Sequence, residues 1–192
     1  SAHYLISQAY HQGKLTLYPL VPDSERAWHA GRSHWQGAQA LNSASIGIEI
    51  VNRGYEEADA GLPLDQRRWQ PYTEAQFRAV ASLLQSLSNR YQIDPTRILG
   101  HSDISVARKV DPGPRFPWRR LHDEYGVGAW PDEARVTALL ATMDSLPSTL
   151  EVQQMLIRYG YGLTASGELD AETRGAVAAF QLHFRPGRCD GE

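Results

Sequence analysis

The chain has 192 residues, 42% of them apolar, and 19 Lys and Arg against 22 Asp and Glu give a net charge of −3. That length allows one medium domain with a small second one, and the apolar share fits a globular protein with a real core. A slightly negative chain without a basic run is a poor partner for nucleic acid. The single cysteine, Cys189, excludes an internal disulfide and a cysteine-based zinc knuckle. No stretch is long and apolar enough to span a bilayer, and none reads as a signal peptide.

Ser1-Ala2-His3-Tyr4 already lies inside what reads as a strand. Ala2 to Ile6 and Leu15 to Tyr18 are short β-favouring runs separated by His11-Gln12-Gly13-Lys14, a pattern that predicts a hairpin. His3 and His11 are expected to be structural or exposed. Trp28-His29-Ala30-Gly31 sets a histidine beside small residues, which leave room for a substrate to approach His29; the other reading is a buried His bonded to backbone. Trp35 reads either as a stacking platform for a sugar ring or as core. In Ile46 to Val51 the three isoleucines alternate on one face, with Gly47, Glu49 and Val51 on the other. Glu49 is then a carboxylate in an apolar strand. If buried, its pKa should rise, and it should either pair with a cation or transfer protons. Residues 53–72 read as a loop near the site. Thr73 to Gln76 is a capping box opening a helix with Phe77, Val80, Leu84, Leu87 and Tyr91 along one stripe.

The segment RILGHSDISVARKVDPGPRFPW, residues 97–118, concentrates the chain's reactive side chains. Arg97 to Leu99 is expected to be a short buried strand that presents His101 at its end, where loops carry chemistry on a rigid base. Asp111 follows ten residues later, so bringing the two together needs a folded-back loop, which Pro112 and Pro114 would stiffen. By themselves His101 and Asp111 suit either a hydrogen-bonded structural pair or part of a metal site. Lys109 could stabilise an oxyanion beside such a metal, or with Arg108 form a solvated basic edge.

Beyond Trp118, residues 131–143 carry a helical pattern on Val136, Leu139, Leu140 and Met143, and Leu146-Pro147-Ser148 reads as a boundary. Ser148 to Glu151 is a second capping box, Gly160 a helix end, and Asp170 the cap of a last helix bearing Thr173, Val177 and Phe180. The tail reads as a separate module, removable without loss of the catalytic half.

GHSDIS with ARKVDPGPRFPW, together with SAHYLI, AWHAG and LNSASIGIEIVNRG, resembles the zinc-dependent N-acetylmuramoyl-L-alanine amidases of the AmpD/AmiD-like group, whose fold is shared with peptidoglycan recognition proteins. The pattern LxxxGYG…GELDxxTxxAVxxFQ resembles the helical peptidoglycan-binding domain found beside cell-wall hydrolases. The resemblance implies an α/β fold, a mixed sheet flanked by helices with a small all-α C-terminal module. It divides the chain into an amidase domain over 1–130 lacking its first strand, a linker over 131–147, and a peptidoglycan-binding module over 148–192 that normally continues with another helix. It implies a Zn2+ cofactor held by His101 and Asp111, with Glu49 as general base or acid and Lys109 as polarising cation. His29 and Trp35 would face the substrate. The family's third zinc ligand is a His on a strand preceding the segment that matches Ala2-His3-Tyr4. It is expected upstream of Ser1, and no residue here aligns with it. The implied substrate is the amide between N-acetylmuramic acid and L-alanine in peptidoglycan or muropeptides, in the bacterial periplasm. The alternative is a peptidoglycan-binding protein without catalysis.

Overall fold

The structure is a computed structural model that describes residues 1–8 and 15–192. Its central sheet is three-stranded and mixed. β1 (Tyr4–Ile6) lies between antiparallel β2 (Leu17–Pro19) and parallel β5 (Ile48–Ile50), with Tyr4 opposite both Pro19 and Ile48. Two short strands, β3 (His34–Trp35) and β4 (Ala38–Gln39), form a hairpin outside this sheet. The expected turn at 11–14, with His11, lies outside the described residues.

Around the sheet run α1 (Glu74–Tyr91), the single turn α2 (His101–Ile104), α3 (Trp118–Tyr125), α4 (Glu133–Ala141), α5 (Thr149–Tyr159) and α6 (Ala171–Phe184). α1 begins where its sequence says it should: the Thr73 side chain accepts from the Gln76 N–H, and the Gln76 side chain accepts from the Thr73 N–H. Its buried stripe of Phe77 and Val80 joins Ile6, Ile98, Phe116, Trp118 and Leu121 in one core, against which Ile48 and Ile50 of β5 pack. Together these make a mixed α/β fold with a small sheet, flanking helices and a C-terminal helical region.

One expectation is corrected. Residues 97–99 form no strand: Asp94 caps a 3-10 turn over Pro95–Arg97, and Ile98 is buried without a ladder partner. His101 therefore opens a helix instead of ending a strand. α4 forms on the expected pattern, capped by Asp132, with Val136 41%, Leu139 63% and Leu140 59% exposed.

α5 and α6 have the predicted caps at Ser148 and Asp170, and they pack on the first half of the chain. Leu156, Tyr161, Ala176 and Ala179 share a second core with Ala30, Trp35 and Leu41 from the first half of the chain. α6 approaches the segment after α2 so closely that a Cβ on Gly175 would stand 2.8 Å from the Ala107 Cβ. Burial of each large apolar side chain in such a core contributes about 1.5–3 kcal/mol. Removing residues 148–192 would therefore strip one wall from the first half of the chain.

Candidate active site

The site is built on the segment that runs through α2 and returns at Asp111. The Gly100 N–H donates to Asp103 Oδ2 at 2.8 Å, so a side chain of the turn's own first residues fixes its start. This aims His101 at the returning loop, where its Nδ1 donates to Asp111 Oδ2 at 3.0 Å, while its Nε2 lies 3.3 Å from the Ala30 carbonyl. The loop is held in place by the Ser102 N–H on the Asp111 carbonyl at 2.9 Å and by the Tyr72 hydroxyl on the Pro112 carbonyl at 2.9 Å. The His101 side chain is 20% exposed and that of Asp111 60%, so the pair opens to solvent.

The charges around Asp111 compete. Burial of its carboxyl pushes the pKa up, while the His101 hydrogen bond, the His101 charge and Lys109 outweigh it and leave the group below its ordinary value. Lys109 is half-buried and makes no ion pair among the described residues. Arg108 is exposed, but its guanidinium is engaged. Its Nη2 donates to the Ala30 carbonyl at 3.3 Å and the Arg32 carbonyl at 3.1 Å, and to the Ser105 hydroxyl. It thereby ties the AWHAG loop to the segment that carries His101.

Glu49 sits at the centre of β5 and is not buried. Ile48 and Ile50 pack inward, whereas Glu49 is exposed and, among the described residues, makes no ion pair or hydrogen bond. Side chains two apart share a strand face, so Glu49 lies on the side of Gly47. There a Cβ would stand 2.3 Å from the His29 ring, which only a glycine allows. Next to His29, the Ala30 carbonyl meets His101. β5, through Gly47, and α2, through His101, both meet the AWHAG loop, and Glu49 is an uncommitted carboxylate on the Gly47 side of β5.

His29 and Trp35 are placed otherwise than the sequence suggests. His29 Nδ1 lies 3.2 Å from the Ala27 carbonyl and Nε2 2.8 Å from the Ser45 hydroxyl, so both ring nitrogens are engaged within the protein. Burial first, and the neighbouring His3 second, push the His29 imidazole below its ordinary value. His3 is itself buried, accepting from the Gly47 N–H and donating to the Glu25 carbonyl. Trp35 is 4% exposed, edge-on to Tyr159 and Tyr161, with its indole N–H on the Thr96 carbonyl. It is core between the two halves of the chain and presents no face to a sugar.

An imidazole nitrogen and a carboxylate oxygen 3.0 Å apart are donors that zinc accepts, so the His101 and Asp111 pair fits as part of a ligand set. Two donors are one short of the usual three. Among the described residues no group of three or more His, Cys, Asp or Glu stands where it could hold a metal. The third histidine that the resemblance implies is expected on a strand preceding Ser1, not at Ser1. Ser1 is engaged with the AWHAG loop instead: its ammonium donates to the Trp28 carbonyl at 3.2 Å, and its hydroxyl accepts from the Trp28 N–H at 3.3 Å.

A second His–Asp pair is not legible in the sequence. Asp103, 1% exposed, accepts from the Tyr161 hydroxyl at 2.6 Å and from His183 Nδ1 at 2.9 Å. Its one local signal is an acidic residue in an otherwise buried turn.

The fold and the site together describe a hydrolase of the mixed-sheet amidase type. The chain belongs to the N-acetylmuramoyl-L-alanine amidase family, whose profile matches residues 1–114, and a peptidoglycan binding domain profile matches residues 145–192. It is 41% identical to the N-acetylmuramoyl-L-alanine amidase AmiD of Escherichia coli over 196 aligned residues, covering 100% of this chain and 68% of that protein. It is 43% identical to the 1,6-anhydro-N-acetylmuramyl-L-alanine amidase AmpD of Enterobacter cloacae, over 57% of this chain and 50% of that one. The structure of E. coli AmiD in complex with anhydro-N-acetylmuramic acid-L-Ala-D-gamma-Glu-L-Lys superposes with a TM-score of 0.87, covering 100% of this chain and 74% of that one. AmpDh3 of Pseudomonas aeruginosa, at 37% identity, also gives a TM-score of 0.87, covering 100% of this chain and 76% of that one.

Proposed function

We propose that this chain hydrolyses the amide between the lactyl group of N-acetylmuramic acid and L-alanine in peptidoglycan or muropeptides, with Zn2+ as cofactor. The observation that carries the reading is the solvent-open His101–Asp111 pair on the pinned 100–112 segment, with the uncommitted Glu49 on the neighbouring strand. His101 and Asp111 would hold the metal, and the resemblance supplies a third histidine from a strand preceding Ser1. Bound zinc supplies Lewis-acid activation of water and of the scissile carbonyl.

The remaining steps fall to the chain's own residues. Glu49 takes a proton from the attacking water as its oxygen bonds to the carbonyl carbon. It then delivers that proton to the L-alanine nitrogen as the C–N bond breaks. The Lys109 ammonium stabilises the negative charge that gathers on the carbonyl oxygen. Residues 1–130 carry this chemistry and 131–147 connect. Residues 148–192 hold the glycan, which raises the effective concentration of the bond to be cut. A muramoyl amide is a cell-wall bond, so the enzyme acts in the bacterial envelope, in the periplasm. Among the described residues no helix is long and apolar enough to cross a membrane.

A second reading is a peptidoglycan-binding protein without catalysis, which the peptidoglycan binding domain profile over residues 145–192 would also suit. Zinc content measured alongside hydrolysis of a muramoyl-L-alanine peptide separates the two. Stoichiometric zinc with release of free peptide supports the amidase. Metal-free protein that binds insoluble peptidoglycan without cleaving it supports the binder.

A further inference from the structure

We propose that Tyr161 and His183 of the C-terminal region are positioning residues of the amidase site, acting through the Asp103 carboxylate; this rests on His101 and Asp111 being the metal-holding pair. Asp103 is 1% exposed, and its oxygens are taken by directional donors. Oδ1 accepts from the Tyr161 hydroxyl, and Oδ2 accepts from His183 Nδ1 and the Gly100 N–H. The last of these fixes the peptide directly before His101. The residue on the other side of His101, Ser102, donates its N–H to the Asp111 carbonyl. One carboxylate therefore orients the turn from which both metal-holding side chains are aimed, and two of its three donors come from residues 58 and 80 positions away in the sequence.

His183 grips the segment at a second point. Its ring stacks on Trp118 with centroids 3.9 Å apart and planes 16° apart. One side chain of α6 thus touches both the start of the 100–118 segment, through Asp103, and its end, through Trp118. Apolar contacts around Trp35 and Tyr161 are enough to fasten the C-terminal region in place. Adhesion alone does not require a buried carboxylate, which is costly unless fully hydrogen-bonded. What the buried carboxylate adds is direction, and groups bonded behind metal-holding residues set their aim. The C-terminal region consequently aligns the site even for substrates too small to reach a glycan-binding surface.

Tyr161→Phe and His183→Phe each remove one donor and keep an aromatic ring, while His183→Asn returns an N–H near the place of Nδ1. The full chain and these variants are compared on a soluble muramoyl-L-alanine peptide for kcat and KM, by chelator competition for zinc affinity, and on insoluble peptidoglycan for retention. His101→Ala is carried as a control. The two Phe variants should lose about tenfold in kcat and in zinc affinity, with KM and retention unchanged. His183→Asn should recover much of the kcat lost in His183→Phe, although it lacks the stacking ring. If His183→Phe does not fold, Tyr161→Phe carries the test. Wild-type kcat and zinc affinity in the Phe variants, beside an inactive His101→Ala, overturn this inference and leave the site assignment standing. Wild-type turnover by His101→Ala overturns both.

Discussion

Two histidine–aspartate pairs grow from the same short turn, at nearly the same separation, and do opposite work. His101 and Asp111 meet at 3.0 Å with 20% and 60% of their side chains exposed. His183 and Asp103 meet at 2.9 Å with 3% and 1% exposed. In the first pair Asp111 keeps acceptor positions open to solvent, where a metal can take them, while His101 Nε2 lies against the Ala30 carbonyl. In the second, the remaining acceptor positions of the carboxylate are filled by Tyr161 and Gly100. The lesson is that the pairing itself carries no function. What decides it is whether the carboxylate is left with unfilled acceptor sites that a ligand can reach.

The sharpest way to break this comparison is to delete one partner from each pair. Asp111→Ala or His101→Ala should reduce zinc content and turnover together to background, because the ligand set is left too small; stoichiometric zinc in either variant would defeat the assignment. Asp103→Ala should act mainly on the fold. It leaves a buried hydroxyl and a buried imidazole N–H without an acceptor, and breaking such a pair costs about 3–5 kcal/mol, read from chemical unfolding. Asp111→Ala, at an exposed position, should change stability by no more than about 0.5 kcal/mol. Equal losses of stability at the two aspartates would erase the distinction drawn here.

A smaller effect concerns alkaline pH. Burial, then the Asp103 charge and the hydrogen bond to it, push the Tyr161 hydroxyl well above its ordinary value, and burial pushes Tyr72 and Tyr159 up to about 12. Such groups favour the folded state fully below the unfolded tyrosine value of about 10. Their contribution is lost as pH rises beyond it, because the unfolded chain releases protons that the folded chain retains. The urea midpoint should therefore fall as pH rises through about 10, and fall less steeply in Tyr161→Phe. Parallel slopes for the two proteins would show that the Tyr161 bond to Asp103 is not held as described.

Local signals are legible in the sequence to the extent that they are local. The capping boxes at Thr73 and Ser148, the cap at Asp170 and the isoleucine alternation around Glu49 depend on residues three or fewer apart, and each stands where the pattern places it. Packing over long separations is not legible. Trp35 reads as either a sugar platform or core because nothing near it in the sequence reveals Tyr159 and Tyr161 closing over it. The apolar neighbours of Glu49 leave its burial open. A strand with one packed face and one open face has the same alternation, and only the partners of each face tell them apart. The tail reads as detachable because its boundary is clear in the sequence, while the donors it sends to Asp103 leave no local trace. At the catalytic segment, resemblance names His101 and Asp111 together, and the loop that brings them to 3.0 Å is a property of the fold.

The central claim, that the exposed pair and the strand beside it form a working hydrolytic site, is tested most directly at Glu49. Single-turnover hydrolysis of a muramoyl-L-alanine peptide is measured for the full chain and for Glu49→Gln, with zinc quantified in the same samples. The account predicts native fold and unchanged zinc in Glu49→Gln, with the rate of amide cleavage lower by about 10²–10⁴-fold. A Glu49→Gln protein that cleaves at the wild-type rate with its zinc in place would contradict it, and would make Glu49 an ordinary surface carboxylate on an edge strand.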